Sequence, residues 1–170
     1  MMISEFLTSR RRLDGADAPE MDALTEAGAL DEAALLDVRI NTVDSSAWLL
    51  FDCKGALQVR AGNTAIVVLK LIRTLEWTCS EPSSRGWQYV LGWQPASEEG
   101  VLGVSFLTGD TGAFRATCAA GEFYVGDVRG GDEAPPNFMS ATDQEIREGL
   151  AKWSSLFTPV RASFLDLALG

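Results

Sequence analysis

The residues that could carry chemistry in this chain are carboxylates, because the sequence contains no histidine. Histidine is the commonest general base, a common zinc ligand and the usual partner of serine and cysteine nucleophiles. Asp37 and Asp52 fall on neighbouring predicted strands, where two carboxylates could approach each other. A pair of carboxylates can serve glycosidic hydrolysis. A hydrolase that uses Asp37 or Asp52 is therefore one hypothesis for this chain.

Three cysteines, Cys53, Cys79 and Cys118, stand at wide spacing, and no Cys-x-x-Cys motif is present. An odd number of widely spaced cysteines favours buried thiols over a disulfide. Zinc and iron–sulfur sites need clusters of cysteine or histidine ligands. We therefore expect no metal site and no cofactor.

Aromatic residues alternate along one predicted strand at Trp87, Tyr89 and Trp93. Large rings at alternate positions are typical of a core face, and tyrosine and tryptophan are also favoured at interfaces. One alternative function is therefore a small-molecule carrier, with a cavity between the sheet and a C-terminal helix that contains Trp153. The candidate ligand-binding residues are Trp87, Tyr89, Trp93 and Trp153.

Negative charge is concentrated in the first third of the chain. Residues 14–52 contain ten acids and one base, which is −9 of a net charge of −10. A solvated helix face is one interpretation, and a docking surface for a basic protein is the other. The candidate partner-binding residues are Asp14, Asp17, Glu20, Asp22, Glu26, Asp31 and Glu32. This charge does not favour direct binding of nucleic acid.

The elements that must position these residues are mostly strands. Apolar residues alternate from Leu36 to Thr42, which predicts a strand with one apolar face. The segment from Ala65 to Trp77 is apolar on both faces over most of its length, so we expect one long central strand there. Further strands are predicted over residues 47–51, 56–60, 87–94, 101–107, 114–119 and 122–128, with tight turns at Gly62-Asn63 and around 119–121.

Helical spacing predicts short helices over residues 2–12 and 19–28 and a longer helix near the end of the chain. The last helix begins with a capping box formed by Thr142 and Glu145, and its apolar face continues to Phe157. The predicted fold class is α+β, in a single domain over residues 1–170. It combines an antiparallel β meander of about eight strands, curved into a sandwich or partial barrel, with N-terminal short helices and a C-terminal helix packed on the sheet.

The sequence also bears on compartment and assembly. No apolar run approaches the ~18 residues of a membrane-spanning helix, and the start of the chain lacks the apolar core of a secretory signal. We expect a cytoplasmic protein without membrane association. The apolar tail from Phe164 to Leu169 is expected either to pack on the domain or to form a dimer contact. The sequence is therefore compatible with a homo-oligomer.

Three segments, Leu35–Ile40, Leu50–Leu57 and Glu122–Val128, resemble small uncharacterised proteins of high-GC bacteria, and arginine outnumbers lysine eleven to three. The strand–turn–strand opening also resembles the immunity proteins of bacterial toxin systems. That resemblance implies an inhibitor that presents carboxylates to a basic active site. The leading hypothesis is therefore a non-catalytic, immunity-like binding protein whose acidic N-terminal region binds a basic protein.

Overall fold

A computed structural model describes residues 1–8, 16–79, 88–109, 111–130 and 140–168, without the side chain of Arg147. In this part of the chain, nine strands form two antiparallel sheets and two helices are short. The strands are β1 (Ala34–Asn41), β2 (Ser46–Asp52), β3 (Thr64–Lys70), β4 (Thr74–Thr78), β5 (Val90–Glu98), β6 (Val101–Thr108), β7 (Gly112–Cys118), β8 (Ala120–Val128) and β9 (Phe157–Asp166). The helices are α1 (Ile3–Thr8) and α2 (Asp143–Glu148). The predicted antiparallel, strand-rich architecture is confirmed.

The strands are not ordered as one continuous meander. The larger sheet has the order β1-β2-β3-β8-β9, and the smaller sheet has the order β4-β7-β6-β5. Two short meanders, β1-β2-β3 and β5-β6-β7, follow the predicted hairpin rhythm. However, β8 pairs with β3 and β9 and does not pair with β7. The hairpin predicted around residues 119–121 is therefore wrong, because the chain crosses there from one sheet to the other.

The two sheets pack face to face over a shared apolar core. The ring of Phe51, in the larger sheet, lies 5.9 Å from Trp93 and 6.2 Å from Phe106 of the smaller sheet, measured between ring centroids. Phe106 also stacks on Phe114 at 5.0 Å. Aromatic pairs of this kind add about 0.5–1.5 kcal/mol each beyond the burial of their area. This aromatic layer therefore joins the two sheets.

The segment predicted as one long central strand forms two strands that belong to different sheets. β3 is the third of five strands and is buried at every position from Thr64 to Leu69, which confirms its central place. Leu71 then adopts a φ of 55°, and the N–H of Ile72 donates to the carbonyl of Ser45. A left-handed conformation is costly for leucine and lets the backbone change direction sharply. The chain therefore leaves the larger sheet at Leu71, and β4 becomes an edge strand of the smaller one.

The acidic segment, residues 17–32, forms turns in place of the helix predicted over residues 19–28. Its backbone bonds to the edge strand β5. Gly28 N–H donates to the Trp93 carbonyl, and Glu32 N–H donates to the carbonyl of the first residue of β5. An uncovered edge strand leaves backbone groups unpaired. Tertiary pairing with β5 has therefore replaced the local helical bonds.

The C-terminal helix is much shorter than predicted. The capping box of Thr142 and Glu145 is present as expected, but α2 ends at Glu148 and Phe157 begins β9. In a helix the N–H of Phe157 would donate to the carbonyl of Trp153, but it donates to the carbonyl of Met1, and the Trp153 carbonyl accepts from Ser4 N–H in α1. In the described part of the chain, the expected C-terminal helix packed on the sheet is not present. Strand β9 takes its place at the edge of the larger sheet.

A close backbone contact fixes the loop between β2 and β3. Residues 56–60 form turns and not the predicted strand. Asn63 is buried, and its side-chain amide bonds both the carbonyl and the N–H of Val128, so Gly62-Asn63 is not the predicted hairpin turn. A Cβ placed on Gly62 would lie 2.5 Å from the carbonyl oxygen of Gly126, which leaves no room for a side chain. The loop is therefore held against β8.

A second close contact, between Gly126 and β9, predicts that Gly126→Ala destabilises the protein. The added Cβ would overlap the Thr158 carbonyl oxygen and lie 2.7 Å from the Phe157 ring. We expect a loss of about 1–3 kcal/mol in the free energy of unfolding, measured by urea denaturation. Gly103→Ala is the matched strand control, because its Cβ would have its nearest neighbour at 3.7 Å. Equal stability of the two variants would contradict the close approach.

The cysteines are free thiols, with Cys53 and Cys118 buried and Cys79 exposed. The exposure of Cys79 corrects the expectation that all three are buried. Desolvation raises the pKa of Cys53, and it raises the pKa of Cys118 to about 11. The thiolate is the reactive form of cysteine, so both buried thiols are protected by burial and by protonation.

Thiol labelling at pH 8 tests this arrangement. We expect Cys79 alone to react quickly with a disulfide reagent in the native protein, and all three cysteines to react after unfolding. Cys79→Ser should remove the fast phase and leave the slow one. A fast phase that survives in Cys79→Ser would show that Cys53 or Cys118 is accessible in the folded protein.

Candidate functional site

A groove of about 560 Å³ lies on the outer face of the larger sheet, between β1 and the chain that follows α2. Its volume is within the range of small-molecule sites, about 300–1,000 Å³. We call it the Trp153 groove, and the residues that line it include Leu36, Asp37, Arg39, Leu150, Lys152 and Trp153. Two of these residues, Asp37 and Trp153, were singled out from the sequence.

An irregularity in β1 builds one wall of the groove. The pairing of β1 with β2 shifts register between Leu35 and Asp37. Such a bulge adds a residue to one strand and redirects the side chains that follow. Leu36 and Asp37 consequently line the same groove, although strict alternation would place them on opposite faces. The alternating pattern of β1 in the sequence contained no signal for this change.

Trp153 forms the floor of the groove. Its side chain is buried, and its indole N–H donates to Asp37 Oδ2. The indole ring packs against Trp48, with 5.9 Å between centroids. Its backbone carbonyl accepts a hydrogen bond from Ser4 N–H at 2.9 Å. Contacts with β1, β2 and α1 therefore fix both the ring and the backbone of Trp153.

Two basic side chains lie at the groove. The Arg39 guanidinium is placed over the Trp153 ring, 5.1 Å from the centroid, which is a cation–π geometry. Its Nε atom is 4.0 Å from Asp37 Oδ2. Lys152 is exposed on the opposite wall. The groove thus combines two positive charges with the single carboxylate of Asp37, in a chain whose net charge is −10.

The structure does not bring Asp37 and Asp52 into one groove. Asp37 lines the Trp153 groove, where its Oδ1 accepts from the backbone N–H of Val38 and its Oδ2 accepts from the indole. Asp52 is buried beside Lys54, whose backbone N–H donates to Oδ1 and whose Nζ lies 3.5 Å from Oδ2. Each carboxylate therefore has its own local partners.

The three described members of the predicted ligand-binding aromatic set do not line one cavity. Trp93 is buried between the sheets and stacks on Phe106 at 5.1 Å. Tyr89 is exposed and lies beside the start of β1. Trp153 is the member of the set that lines the Trp153 groove, and Trp87 lies outside the described residues.

A bulge in β5 explains why the aromatic alternation failed as a guide. Gly92 adopts a φ of 66°, and the pairing of β5 with β6 shifts register between Leu91 and Gln94. The extra residue turns Trp93 into the core while Leu91 faces outwards and is exposed. A glycine inside a strand pattern is a known signal of a bulge, and Gly92 was the sequence feature that could have predicted this one.

The exposed members of the acidic segment are spread along its surface. The carboxylate of Asp17 is 2.8 Å from the guanidinium of Arg161 in β9, although the Asp17 side chain is 82% exposed. Glu20 and Glu32 are exposed as well. Asp14, the first predicted binding residue, lies outside the described part of the chain.

Three other acids of this segment support its fold. Asp22 accepts a hydrogen bond from Leu24 N–H, and Glu26 accepts one from Asp22 N–H. Asp31 accepts a 2.7 Å bond from Trp93 N–H, at the bulge of β5. Short acidic side chains commonly stabilise turns in this way. These carboxylates are therefore structural, whatever else they contact.

Three general signs of function are a metal-ligand cluster, a membrane-spanning helix and similarity to a known protein. In the residues that the structure describes, no three histidine, cysteine or acidic side chains are grouped to hold a metal ion. Over the same residues, no helix is both long and apolar enough to cross a membrane. Comparison with known protein families, with curated proteins and with solved structures gives no significant match for this chain.

Proposed function

We propose that the chain is a non-catalytic binding protein that holds a small ligand in the Trp153 groove. The observation that carries the proposal is the fixed floor, since Trp153 bonds to Asp37 and packs on Trp48. A site whose side chains are already ordered loses little conformational entropy when a ligand binds. Apolar walls at Leu36 and Leu150 with a few polar groups match the usual composition of small-molecule sites.

The proposal is for binding without catalysis because Asp37 is the single carboxylate among the described residues that line the groove. Hydrolysis of a glycosidic bond needs two carboxylates that flank the scissile bond. Asp37 accepts hydrogen bonds from Val38 N–H and from the Trp153 indole, whereas Asp52 has its own partner in Lys54. The role of Asp37 in the groove is therefore to position Trp153.

Titration of ¹⁵N-labelled protein with hexan-1-ol, an uncharged probe, tests the proposal. We expect a saturable shift of the Trp153 indole N–H resonance, which Trp153→Phe identifies by its disappearance. The dissociation constant should be on the order of millimolar, as ligand efficiency allows for so few atoms. The indole of Trp93 donates to the Ala23 carbonyl inside the core and is the internal control, which should not move.

Two variants make this test specific to the groove. Ser154 is exposed and lines the groove, so Ser154→Trp should place a ring across it and abolish the shift. Ser97 is exposed on β5 of the smaller sheet, so Ser97→Trp should leave the shift unchanged. Equal effects of hexan-1-ol on the two variants, or no shift at all in the parent protein, would refute the groove as a ligand site.

A second candidate function is immunity-like binding of a basic protein by the acidic segment. What favours it is the way this segment is held, because the backbone bonds of Gly28 and Glu32 to β5 keep it in one conformation. Carboxylates on such a surface present a fixed pattern of negative charge, which favours association with a basic partner.

The double variant Glu20→Gln/Glu32→Gln tests this second function. With nona-arginine as the basic probe, we expect affinity to fall by roughly two- to ten-fold, since each exposed charge pair contributes about 0.2–1 kcal/mol. Asp143→Asn/Glu148→Gln removes the same charge from α2 and is the matched control, measured by surface plasmon resonance at two salt concentrations. Equal losses in both double variants, or binding that salt does not weaken, would rule out a specific acidic site.

A further inference from the structure

We propose that the ligand of the Trp153 groove is a monoanionic amphiphile, a carboxylate on an apolar tail, with Arg39 as the residue that binds its head group. This inference rests on the proposed function, because it assigns a chemical class to the occupant of the same groove. Three features of the groove support it: the available guanidinium of Arg39, the charge balance of the lining and the apolar part of the lining.

The Arg39 guanidinium has donors to offer. Its Nε lies 4.0 Å from Asp37, which is beyond hydrogen-bonding distance, and no hydrogen bond joins this guanidinium to another described residue. The side chain is 51% exposed, so a ligand can reach it. Stacking over Trp153 holds the guanidinium in place. A planar fork of N–H donors fits the two oxygens of a carboxylate.

Three other basic side chains of the described chain are neutralised more closely than Arg39 and Lys152, whereas Arg60, Arg73, Arg115 and Arg129 have no ion pair among the described residues. Lys54 and Arg161 have carboxylate oxygens at 3.5 Å and 2.8 Å, and Lys70 is in direct contact with Glu122. Within the same residues, Lys152 has no ion pair. The groove therefore gathers two weakly neutralised cations in an acidic protein.

The charge balance of the groove selects a single negative charge. Arg39 and Lys152 together with Asp37 sum to +1, which a carboxylate neutralises and a dianionic phosphate would exceed. Asp37 would also repel a second negative charge. An amine is disfavoured, because it would meet two cations and one carboxylate in the groove.

Part of the groove lining is apolar, and this predicts that the ligand has a hydrocarbon tail. Leu36, Leu150 and Ala151 are all partly buried at the groove. Covering their remaining exposed surface with a hydrocarbon chain is favourable by roughly 25 cal/mol per Å². A small, fully polar anion would leave this surface in contact with water. The combined site thus fits a hydrocarbon chain that ends in a carboxylate.

The experiment compares three probes with the same six-carbon chain: hexanoate, hexan-1-ol and hexylammonium. Each is titrated into the ¹⁵N-labelled protein at neutral pH and followed at the Trp153 indole resonance. We expect hexanoate to bind about three- to ten-fold more tightly than hexan-1-ol, and hexylammonium to bind most weakly, as expected for one or two partly exposed charge contacts. The advantage of hexanoate should shrink in 0.5 M salt.

Two substitutions identify the head-group contacts. Arg39→Gln should lower the affinity for hexanoate to the affinity for hexan-1-ol measured in the same variant. Lys152→Gln should also lower the affinity for hexanoate, by a smaller factor, and it leaves the stack of Arg39 on Trp153 intact. Arg115→Gln is the control, because Arg115 is exposed on the outer face of the smaller sheet and should change nothing.

The outcomes separate this inference from the proposed function. If hexan-1-ol and hexanoate bind equally well, or if neither substitution affects hexanoate, the carboxylate class is wrong while binding in the groove stands. If hexylammonium binds best, the charge assignment is reversed and the inference is overturned. If no probe moves the Trp153 resonance, the proposed function fails and this inference fails with it.

Discussion

Burial of β3 on both faces is the constraint on which the rest of the structure depends. Val67 points into the core between the sheets, and its neighbour Ile66 points into a second apolar cluster that includes Phe6, Trp153 and Phe157. Burying one such side chain stabilises the fold by about 1.5–3 kcal/mol. Because α1 and the chain around Trp153 cover the outer face of the sheet, the candidate groove lies where this cover meets β1 and β2.

The features that could be predicted from the sequence are those determined by nearby residues. The alternating pattern of β1, the two-sided apolar pattern of β3 and the capping box before α2 each involve residues within a few positions of one another. The structure confirms the strand at β1, the burial of β3 and the capping box. The alternation within β1 is broken, because Leu36 and Val38 pack against different apolar clusters. Asp37 and Trp153 were also identified as candidate residues, but for separate functions and without any indication that they touch.

The features that could not be predicted depend on distant partners. Ile146, Leu150, Trp153 and Phe157 have helical spacing, yet the carbonyl of Trp153 bonds to α1 and Phe157 enters β9. The acidic segment is bonded to β5, which lies far along the chain. Bulges in β1 and β5 then change which side chains share a face. The spacing of residues along the sequence contains no information on these long-range pairings, so the groove could not be predicted from the sequence.

The pairing of β3 with β8 has a consequence for how the chain reaches this fold. Thr64 in β3 pairs with Gly126 in β8, which is synthesised about sixty residues later. During synthesis the uncharged run Thr64–Leu69 therefore remains without its β8 partner. Uncharged runs of high β-propensity are prone to self-association in unfolded chains. The anionic stretch before β3 gives nascent chains a mutual repulsion that opposes this. The negative charge that precedes β3 therefore opposes self-association of the central strand before the sheets close.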